Sequence, residues 1–539
     1  MKQLLCIPKS LQLAAFIHIF ISIEFFPQWS TDPNNNLIIG YGSDPHICSD
    51  SAGGCYVTYN YGTLFYPQKL GVERLDKYGY KPWGDRIQIL GELPEQWQAE
   101  IIEDGEEGVI ISYEDNELNL PDYTTRVRVQ RIDSAGNFLW GQTGVRVTVE
   151  ETNHGGQQLV SDGNGGCIVV WPKILQDYTY EYRANRINNL GERAWSDTGI
   201  YLERNINSDP ARIVRASDGN YFVQIRESLY RLGDNGEIIR RDSVTLGNII
   251  PDPEGGIVLS GTVGTINNRK LVTQRQDSLG NNLWQEPYVE IADSLYINTQ
   301  LKIKYNAGYF YYGWSGTRNG IIRVAQFQAL RLDGSKLFPD GSIPISSHTP
   351  LSVAGIVTSE SNKTIFIWND ATISSSTISL LYDTLGNKLW NENGVVVSYP
   401  AIAYQTTTDG QGGFITSGPI NQFTIVAQQV SKYGILGQIV TDVEMVQDEL
   451  IPLKTLLHQN FPNPFNSTTN IKYQVNKEGR IRILLYSILG EKIKTIIDEY
   501  KNAGSYSVII NSDEIPSGVY FYTLETNVQR LVKKLIILN

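Results

Sequence analysis

Carboxylates and aromatic rings are concentrated in three segments that interrupt otherwise apolar runs. The segments are Glu114–Thr125, Pro172–Tyr182 and Gly313–Gly320. Cleavage of a glycosidic bond needs two carboxyl groups about 5 to 10 Å apart, one of them with a raised pKa. Aromatic rings beside carboxylates also bind sugars or peptide side chains without any chemistry. The candidate ligand-binding residues are Glu114, Asp115, Glu117, Asp122, Tyr123, Tyr178, Tyr180, Trp314 and Arg318.

These residues leave two classes of function open. The first is a non-catalytic binding module for a glycan or a peptide. The second is a hydrolase or lyase that acts on polysaccharide, with its acid and base among Glu114, Glu117 and Asp122. The sequence does not place these carboxyls relative to one another, so binding is the favoured interpretation and no catalytic residue is assigned. A third interpretation is a set of solvated loops without a ligand.

Other chemical sites lack their characteristic spacing in this chain. The five histidines are scattered, without zinc-ligand spacing. The segment GWSGT (Gly313–Thr317) lacks the final glycine of a nucleophile elbow. The segments DGNGG and DGQGG lack the further carboxylates of a calcium loop. We therefore predict no metal and no cofactor. A formal net charge of −12, without a basic stripe, argues against a nucleic-acid partner.

The elements that carry these segments repeat about every 50 residues. The recurring feature is a turn, Asp-x-x-Gly, with Trp four residues after the glycine, as in Arg131–Trp140. A catalytic residue is needed once, whereas a structural unit is needed in every copy, so the repeat indicates architecture. The eight turns are centred on Gly79, Gly136, Gly191, Gly236, Gly280, a degenerate copy near Ser335, Gly386 and Gly434.

Each repeat is predicted to form four short strands, which is the pattern of a β-propeller blade. In the third copy these strands are Gln157–Ser161, Cys167–Trp171, Tyr182–Asn188 and Gly199–Glu203. The predicted fold class is all-β. A single eight-bladed propeller covers residues 34–440, and a small C-terminal β-sandwich follows it. The first strand of the first blade is predicted at Asn36–Gly42.

The loops of such a blade lie on two opposite faces. The first-to-second and third-to-fourth turns share one face, and here they are short and repetitive. The second-to-third loops share the other face with the links between blades, and they vary. Variable loops on a rigid scaffold are where function usually lies. We therefore expect a ligand on the second-to-third loop face, over blades two and three.

The repeated turn loosely resembles the tryptophan-docking turn of pyrroloquinoline-quinone-type propellers, which also have eight blades. This chain lacks the adjacent Cys-Cys pair that those dehydrogenases typically use at their cofactor. The resemblance therefore implies the scaffold and not the chemistry. The turn also resembles the Asp box of sialidases, but both gaps are one residue longer here.

Residues 1–30 have the pattern of a cleaved secretory signal peptide. Two lysines precede a mostly apolar run, Leu11–Phe26, which is shorter and more polar than a membrane span. No later stretch is expected to span a bilayer. Cys48 and Cys55 flank a tight turn, so a disulfide between them is left open for an oxidising compartment.

The repeat ends near Thr455, after a predicted linker at residues 441–454. Residues 455–539 contain alternating or apolar strands separated by Gly, Asn and Pro, which predicts a small antiparallel sandwich. Its ordered motifs are QNFPNPFN (Gln459–Asn466), YSILG (Tyr486–Gly490), SGVYFY (Ser517–Tyr522) and the closing Lys533–Leu538.

This region resembles the C-terminal sorting domain of the type IX secretion system, the Por system of Bacteroidota. Ser467 departs from the family, which commonly has proline there. The resemblance implies passage through the periplasm and across the outer membrane to the cell surface or the medium, with the secretion machinery as partner. The motif residues are Asn460, Pro462, Asn463, Pro464, Phe465, Gly490, Gly518, Tyr520, Lys533 and Lys534.

Overall fold

The computed structural model describes residues 29–437 and 455–538, with short gaps. The gaps are residues 62–68, 85–86, 89–94, 117–123, 151–152, 266–267, 285–286, 293–294, 298–300, 319–321, 340, 346–349, 361, 372–374, 392, 422, 458, 461–462, 476, 502–503, 513–514 and 527–528. Side chains are also outside the description at residues 87–88, 268, 295–297, 317–318, 322–323, 456, 472, 474, 504–505 and 507. The chain divides into two units, residues 1–438 and 439–539.

The regular elements of the first unit, over its described residues, are all β-strands. They are β1 (Leu37–Tyr41), β2 (Ser43–Ser49), β3 (Cys55–Tyr61), β4 (Lys69–Leu75), β5 (Ile87–Gln88), β6 (Glu95–Glu103), β7 (Val109–Asn116), β8 (Thr125–Ile132), β9 (Val145–Arg146), β10 (Gln158–Ser161), β11 (Cys167–Ile174), β12 (Tyr180–Ile187), β13 (Ile200–Asn205), β14 (Arg212–Arg215), β15 (Tyr221–Ile225), β16 (Ser228–Leu232), β17 (Ile238–Ser243), β18 (Asn248–Pro251), β19 (Ile257–Thr265), β20 (Asn268–Gln276), β21 (Val289–Ala292), β22 (Leu295–Ile297), β23 (Lys302–Asn306), β24 (Tyr309–Arg318), β25 (Ile322–Arg331), β26 (Ile343–Pro344), β27 (Pro350–Glu360), β28 (Lys363–Asp370), β29 (Ser376–Asp383), β30 (Val395–Ser398), β31 (Gln405–Thr408), β32 (Phe414–Pro419) and β33 (Thr424–Val430).

These strands form eight antiparallel sheets, one for each predicted copy. Six sheets are meanders of consecutive strands, from β2-β3-β4-β5 to β27-β28-β29-β30. The sixth blade has both β22 and β23 paired with β24, and the eighth has the order β1-β33-β32-β31. The first strands of blades one to four pack against one another in order, and β31 of the last blade packs against β2 of the first. The sheets therefore close a ring. The unit is an eight-bladed β-propeller, and the weak copies four and six form blades, as predicted.

The predicted first strand of blade one is wrong. Residues 37–41 form β1, which pairs with β33 as the outer, fourth strand of blade eight, in the order β1-β33-β32-β31. Blade one instead begins with β2 (Ser43–Ser49). The N-terminal strand thus supplies the fourth strand of blade eight. The two ends of the repeat array thereby close the ring with backbone hydrogen bonds.

A glycine recurs at the same turn position in each copy, and a side chain of the preceding blade packs against it. All eight have positive φ, between 75° and 92°, and the degenerate copy uses Gly334 and not Ser335. At Gly191 an added Cβ would lie 2.9 Å from the Trp140 ring. The indole N–H of Trp140 donates to the Asn189 carbonyl, at 3.1 Å. Five other indoles make the same bond two residues before a turn glycine, those of Trp29, Trp83, Trp195, Trp284 and Trp390.

Trp29 supplies the indole that blade eight lacks. It is 2% exposed, and its N–H donates to the Lys77 carbonyl of blade one at 3.1 Å. The neighbouring Ser30 carbonyl accepts the Gln428 side-chain amide at 2.7 Å. The N-terminal segment therefore replaces both a strand and a docking tryptophan. In blades four and six the position holds Arg240 and Phe338, which contact Gly280 and Gly386.

The DGNGG-type turns are held by carboxylate–arginine pairs. Asp162 accepts backbone N–H groups from Asn164 and Gly166, both at 2.8 Å, and its other oxygen pairs with Arg186 at 2.9 Å. The pairs Asp50–Arg74, Asp104–Arg131 and Asp252–Arg275 repeat this arrangement. These bonds occupy the carboxylates, in agreement with the hairpin-turn interpretation. Over the described residues, no group of three or more His, Cys, Asp or Glu could hold a metal ion.

The second strand of each blade is the centre of the core. All eight residues of β7 and all five of β15 are buried, because both faces of a blade pack against neighbouring blades. Cys48, Cys55 and Cys167 are buried free thiols within this core, and burial raises the pKa of each. The disulfide left open for Cys48 and Cys55 is not formed.

The second unit is a small sandwich of two antiparallel sheets. Its strands are β34 (Leu456–Leu457), β35 (Thr468–Val475), β36 (Gly479–Ser487), β37 (Lys492–Lys501), β38 (Gly504–Asn511), β39 (Gly518–Glu525) and β40 (Arg530–Ile537). The sheet orders are β34-β35-β38 and β37-β36-β39-β40. Between them lies an apolar core that includes Ile471, Tyr473, Ile483, Tyr522 and Leu535.

Candidate functional site

The structure places three predicted loop residues inside strands. Glu114 and Asp115 lie in β7 and are buried, and Trp314 lies in β24 with no exposed surface. Asp115 forms a buried ion pair with Arg128. Their placement in loops is therefore corrected: the second strands run further toward the loop face than the sequence indicated. Arg318 ends β24, and its side chain lies outside the description.

Only some of the predicted ligand-binding residues on the second-to-third loops are described. Tyr178, at the tip of the β11–β12 hairpin, is 82% exposed, with a positive φ of 61°. Tyr180 begins β12 and is half-buried. Glu117, Asp122 and Tyr123 lie outside the described residues. The structure therefore does not bring Glu114 and Tyr178 together into one surface, because one is core and the other is solvated.

A different set of side chains converges where the first strands surround the axis of the ring. The ladder register places one residue of each first strand at the same level, opposite the same position of its second strand. Four of these eight residues are polar and contact one another in sequence around the ring, and two others are basic. The eight residues, in blade order, are His46, Glu100, Gln158, Arg212, Asn248, Lys302, Gly355 and Gln405.

A cavity of about 350 Å³ opens at the first arc of this level, on the second-to-third loop face. Its walls come from the starts of β2, β6, β10 and β14 and the links before them. The side chains that line it are mostly polar, with amides and carboxylates side by side. The polar lining residues are Asp44, His46, Gln98, Glu100, Gln157, Gln158, Ser208 and Asp209.

Four side chains from blades eight, one, two and three form a connected chain along this arc. The amide of Gln405 contacts His46 Nδ1 at 3.0 Å, and its oxygen accepts the Ile47 N–H at 3.0 Å. That second bond orients the amide, so Gln405 donates to Nδ1 when the His46 ring is neutral. His46 Nδ1 also lies 3.7 Å from Glu100, whose other oxygen accepts the Gln158 amide at 3.0 Å. Each side chain is thus positioned by its neighbour.

The surroundings of Glu100 and Asp44 shift the pKa values of these two carboxyls in opposite directions. Burial raises the pKa of Glu100, and the positive charge of His46 only partly opposes this. The hydrogen bond with His46, 3.5 Å away, lowers the pKa of Asp44. Burial lowers the pKa of His46, but the bond to Asp44 and the charges of Glu100 and Asp44 outweigh it and raise it overall. Two carboxyls whose pKa values are shifted in opposite directions are a usual arrangement for a general acid and a general base.

Two of the eight described non-glycine residues with positive φ lie at this cavity. Asp44 and Gln98 have φ of 54° and 49°, and each lies at a β-bulge of its strand. Gly156, with φ of 61°, occupies the corresponding position before β10. Bulges redirect side chains next to functional sites, and a strained non-glycine residue costs about 1 to 3 kcal/mol. Strain of this kind at two consecutive blades supports a functional role for the cavity.

Glu114 lies directly behind the wall of the cavity. Its carboxylate accepts the Gly156 N–H at 2.7 Å, and a Cβ on Gly155 would lie 2.9 Å from it. Burial raises the pKa of Glu114 to about 7, against the hydrogen bonds from Gly156 and Trp97. A proton therefore leaves this buried group near neutral pH. Among the predicted candidates, Glu114 is the residue that the structure links to the cavity.

Sequence reasoning missed His46, Glu100, Gln158 and Gln405. They lie in first strands, which were treated as scaffold, and not in the long loops. A signal was present, because polar residues begin these inner strands at corresponding places in successive copies. Only the ring, however, shows that the starts of the first strands meet.

The opposite face also has a cavity, of about 540 Å³, at the ends of β14, β18 and β23.

The motif residues of the second unit tie its entry segment to the last strand. The Asn460 N–H donates to Tyr522 Oη at 2.8 Å, and Asn463 Oδ1 accepts the Ile536 N–H at 2.8 Å. Phe465 is 3% exposed in the core and pairs with Ile536 and Leu538 through its backbone. Residues 459–538 match the family model of the secretion system C-terminal sorting domain. The C-terminal unit is a type IX secretion sorting domain.

Other motif residues of the sorting domain shape turns and surface. Gly490 closes the turn from Ser487 with φ of 84°, and Tyr520, two residues after Gly518, donates to the Pro516 carbonyl at 2.8 Å. Lys533 and Lys534 are exposed on β40. Pro464 is described next to Asn463, whereas Pro462 is not.

The sorting domain indicates export through the periplasm to the cell surface or the medium, with the type IX secretion machinery as partner. In the part of the chain that is described, no helix has the length and apolar character needed to cross a membrane.

No curated protein matches the chain. Solved structures similar to it include the WD40 domain of SCAP from fission yeast, at 8% identity, with 75% of this chain and 94% of that chain covered and a TM-score of 0.37. A protein of unknown function from Bacteroides caccae has 11% identity, 62% and 92% coverage and a TM-score of 0.27. An exo-β-1,3-galactanase from Phanerochaete chrysosporium has 11% identity, 84% and 96% coverage and a TM-score of 0.26. These TM-scores are too low to support an inference about activity.

Proposed function

We propose that the propeller of this exported protein is a non-catalytic binding module for a glycan, with the ligand in the cavity of blades one to four. The observation that supports this most is the lining of amides and carboxylates around a cavity of about 350 Å³. That volume falls in the usual range for ligand sites, and such groups donate to and accept from hydroxyls.

Some of the lining groups have no partner within the protein. The exposed side chains of Gln98 and Ser208 make no hydrogen bond within the described ranges of the chain. Gln98 lines the cavity without such a bond, so its amide is available to a ligand. Glu100 and Gln158 are by contrast already oriented, so they present fixed acceptors and donors. Fixed and free groups together favour hydroxyl-rich ligands over apolar peptide side chains.

A glycan and peptide array probed with the exported protein tests this proposal. We expect a glycan to bind, and Gln98→Ala with Ser208→Ala to weaken binding about ten-fold, because each change removes one or two hydrogen bonds. Gln142→Ala, an exposed glutamine on the opposite face, is the matched control. If binding survives both cavity changes but is lost with Tyr178→Ala, the ligand lies instead on the long second-to-third loops.

The second candidate is a hydrolase or lyase acting on polysaccharide. The opposed pKa shifts of Glu100 and Asp44 favour it, since a carboxyl with a raised pKa beside one with a lowered pKa suits the acid and base of glycosidic cleavage. Release of reducing sugars from polysaccharides that bind on the array tests this. Turnover that Glu100→Gln abolishes, with binding retained, establishes the enzyme. Binding without product by the wild-type protein rejects it.

We also propose the predicted domain boundaries, with one adjustment. The propeller would extend over 34–440, the linker over 441–454 and the sorting domain over 455–539. The leader would end before Trp29 and not at residue 30, since Trp29 completes the ring. Deleting residues 455–539 should leave a folded propeller in the periplasm. A truncated protein that still reaches the surface or medium would contradict the role of the sorting domain.

A further inference from the structure

Blades four and six carry basic side chains along the axis of the ring, on the side opposite the acidic arc. Arg212 and Arg215 lie at the two ends of β14, and Lys302 and Lys304 lie in β23. None of the four has an ion-pair or hydrogen-bond partner among the described residues. Burial without a nearby carboxylate lowers the pKa of both Arg212 and Lys302. In a chain of net charge −12, this is an uncompensated positive region.

The carboxylates near the 540 Å³ cavity already pair with other arginines. Asp252 lines the 540 Å³ cavity, but both its oxygens accept from Arg275, at 2.9 Å. Glu254 pairs with the same guanidinium at 2.7 Å, and Asp218 pairs with Arg231. Arg215 and Lys304 therefore stand at the cavity without a counter-charge from the protein. Both side chains are exposed at the cavity, so each can donate a charge-assisted hydrogen bond to an anion there.

The rest of the cavity wall is apolar. Ile250, Pro251, Pro253, Ile303 and Tyr305 form it, between the ends of β14, β18 and β23. A Ser217 hydroxyl bond to the Pro253 carbonyl, at 3.0 Å, joins blades four and five there. A ligand of matching chemistry has one end that is anionic and a body that is apolar. A cavity of about 540 Å³ accommodates a molecule of drug-like size.

We propose that this cavity on the turn face binds a carboxylate with an aromatic or aliphatic body, its charge held by Arg215 and Lys304. The site is separate from the glycan cavity, which opens on the other face. The same chemistry is present in small organic acids and in the C-terminus of a peptide that ends in an apolar residue. The apolar wall distinguishes either of these from a free inorganic anion.

Calorimetric titration of the full-length exported chain tests the proposal with four probes. They are 3-phenylpropionate, its neutral amide, N-acetylphenylalanine as a mimic of a peptide terminus, and inorganic phosphate. We expect the two carboxylates to bind and the amide and phosphate to bind at least ten-fold more weakly. Tighter binding of N-acetylphenylalanine than of 3-phenylpropionate would assign the site to peptide termini, and the reverse order to small acids.

Single substitutions test which side chains bind the carboxylate. We expect Arg215→Gln and Lys304→Gln each to weaken binding about ten-fold, because a charge-assisted hydrogen bond is lost. Lys77→Gln removes one positive charge from the turn face at blade one and should leave binding unchanged. Equal affinity for acid and amide, equal loss in all three variants, or no binding at millimolar concentration would overturn the proposal. The acid–amide comparison on the wild-type protein decides the question even if a variant fails to fold.

Discussion

The outer and inner parts of each blade follow different rules. At the outer turns, the same glycine, the same indole hydrogen bond and the same aspartate recur from copy to copy. At the inner level around the axis, no two neighbouring blades present the same residue. The outer positions meet an equivalent neighbour in each blade, so packing selects one solution in most copies, with Arg240 and Phe338 as the exceptions. The inner positions face open space, so their chemistry is free to vary.

This contrast separates stability from recognition. Changes at the outer turns should unfold or weaken the ring without a specific effect on ligands. Changes at the inner level should alter binding while the fold persists.

Trp29→Ala should destabilise the propeller most, by about 3 to 5 kcal/mol, because it empties the docking site that closes the ring. Chemical denaturation measures this. Leu190→Ala, at a side chain 72% exposed on a repeated turn, is the control and should change stability by less than about 0.5 kcal/mol. A small effect of Trp29→Ala would show that β1 alone closes the ring.

Glu114 should make stability depend on pH. Its folded pKa is about 7 and its ordinary value 4.5. The folded state therefore holds a proton that the unfolded state has released, and stability falls as pH rises from about 4.5 to about 7. The expected loss is about 3 kcal/mol, relative to Glu114→Gln measured over the same range. Glu237→Gln, at an exposed carboxylate, should keep the wild-type slope.

Gly236→Ala should cost about 1 to 3 kcal/mol more than Gly308→Ala. Both glycines have similar φ, 87° and 91°. A Cβ at Gly236 would lie 2.8 Å from the Trp195 ring, whereas one at Gly308 meets nothing within 4 Å. Denaturation of the two variants thus isolates indole docking from backbone strain. Equal costs would mean that docking contributes little.

Glu100→Gln should change stability least, by less than about 1 kcal/mol, since an amide keeps most of the local hydrogen bonding. It should nevertheless weaken glycan binding about ten-fold, because the negative acceptor is lost. Gln142→Ala serves again as the control for binding. A stability loss as large as that of Trp29→Ala would place Glu100 with the scaffold and remove the distinction between the two levels.

Several features were predictable because they depend on local contacts. The turn glycines, the number of blades and the weak copies followed from the spacing of Gly, Asp and Trp. The sorting motifs were readable for the same reason, since Asn460 and Phe465 act within one small domain. The placement of Trp314 failed because a wholly buried second strand has no alternation to show where it ends.

By itself, the sequence determined the repeated unit, the all-β class and the export address, since each is written in residues close together along the chain. Tertiary structure alone decided which end of the array completes blade eight, and that Trp29 takes the place of a missing indole. It also decided that His46, Glu100, Gln158 and Gln405 meet, although 359 positions separate His46 from Gln405. Closure of the ring is the physical reason, because it brings together strand starts that no local pattern connects.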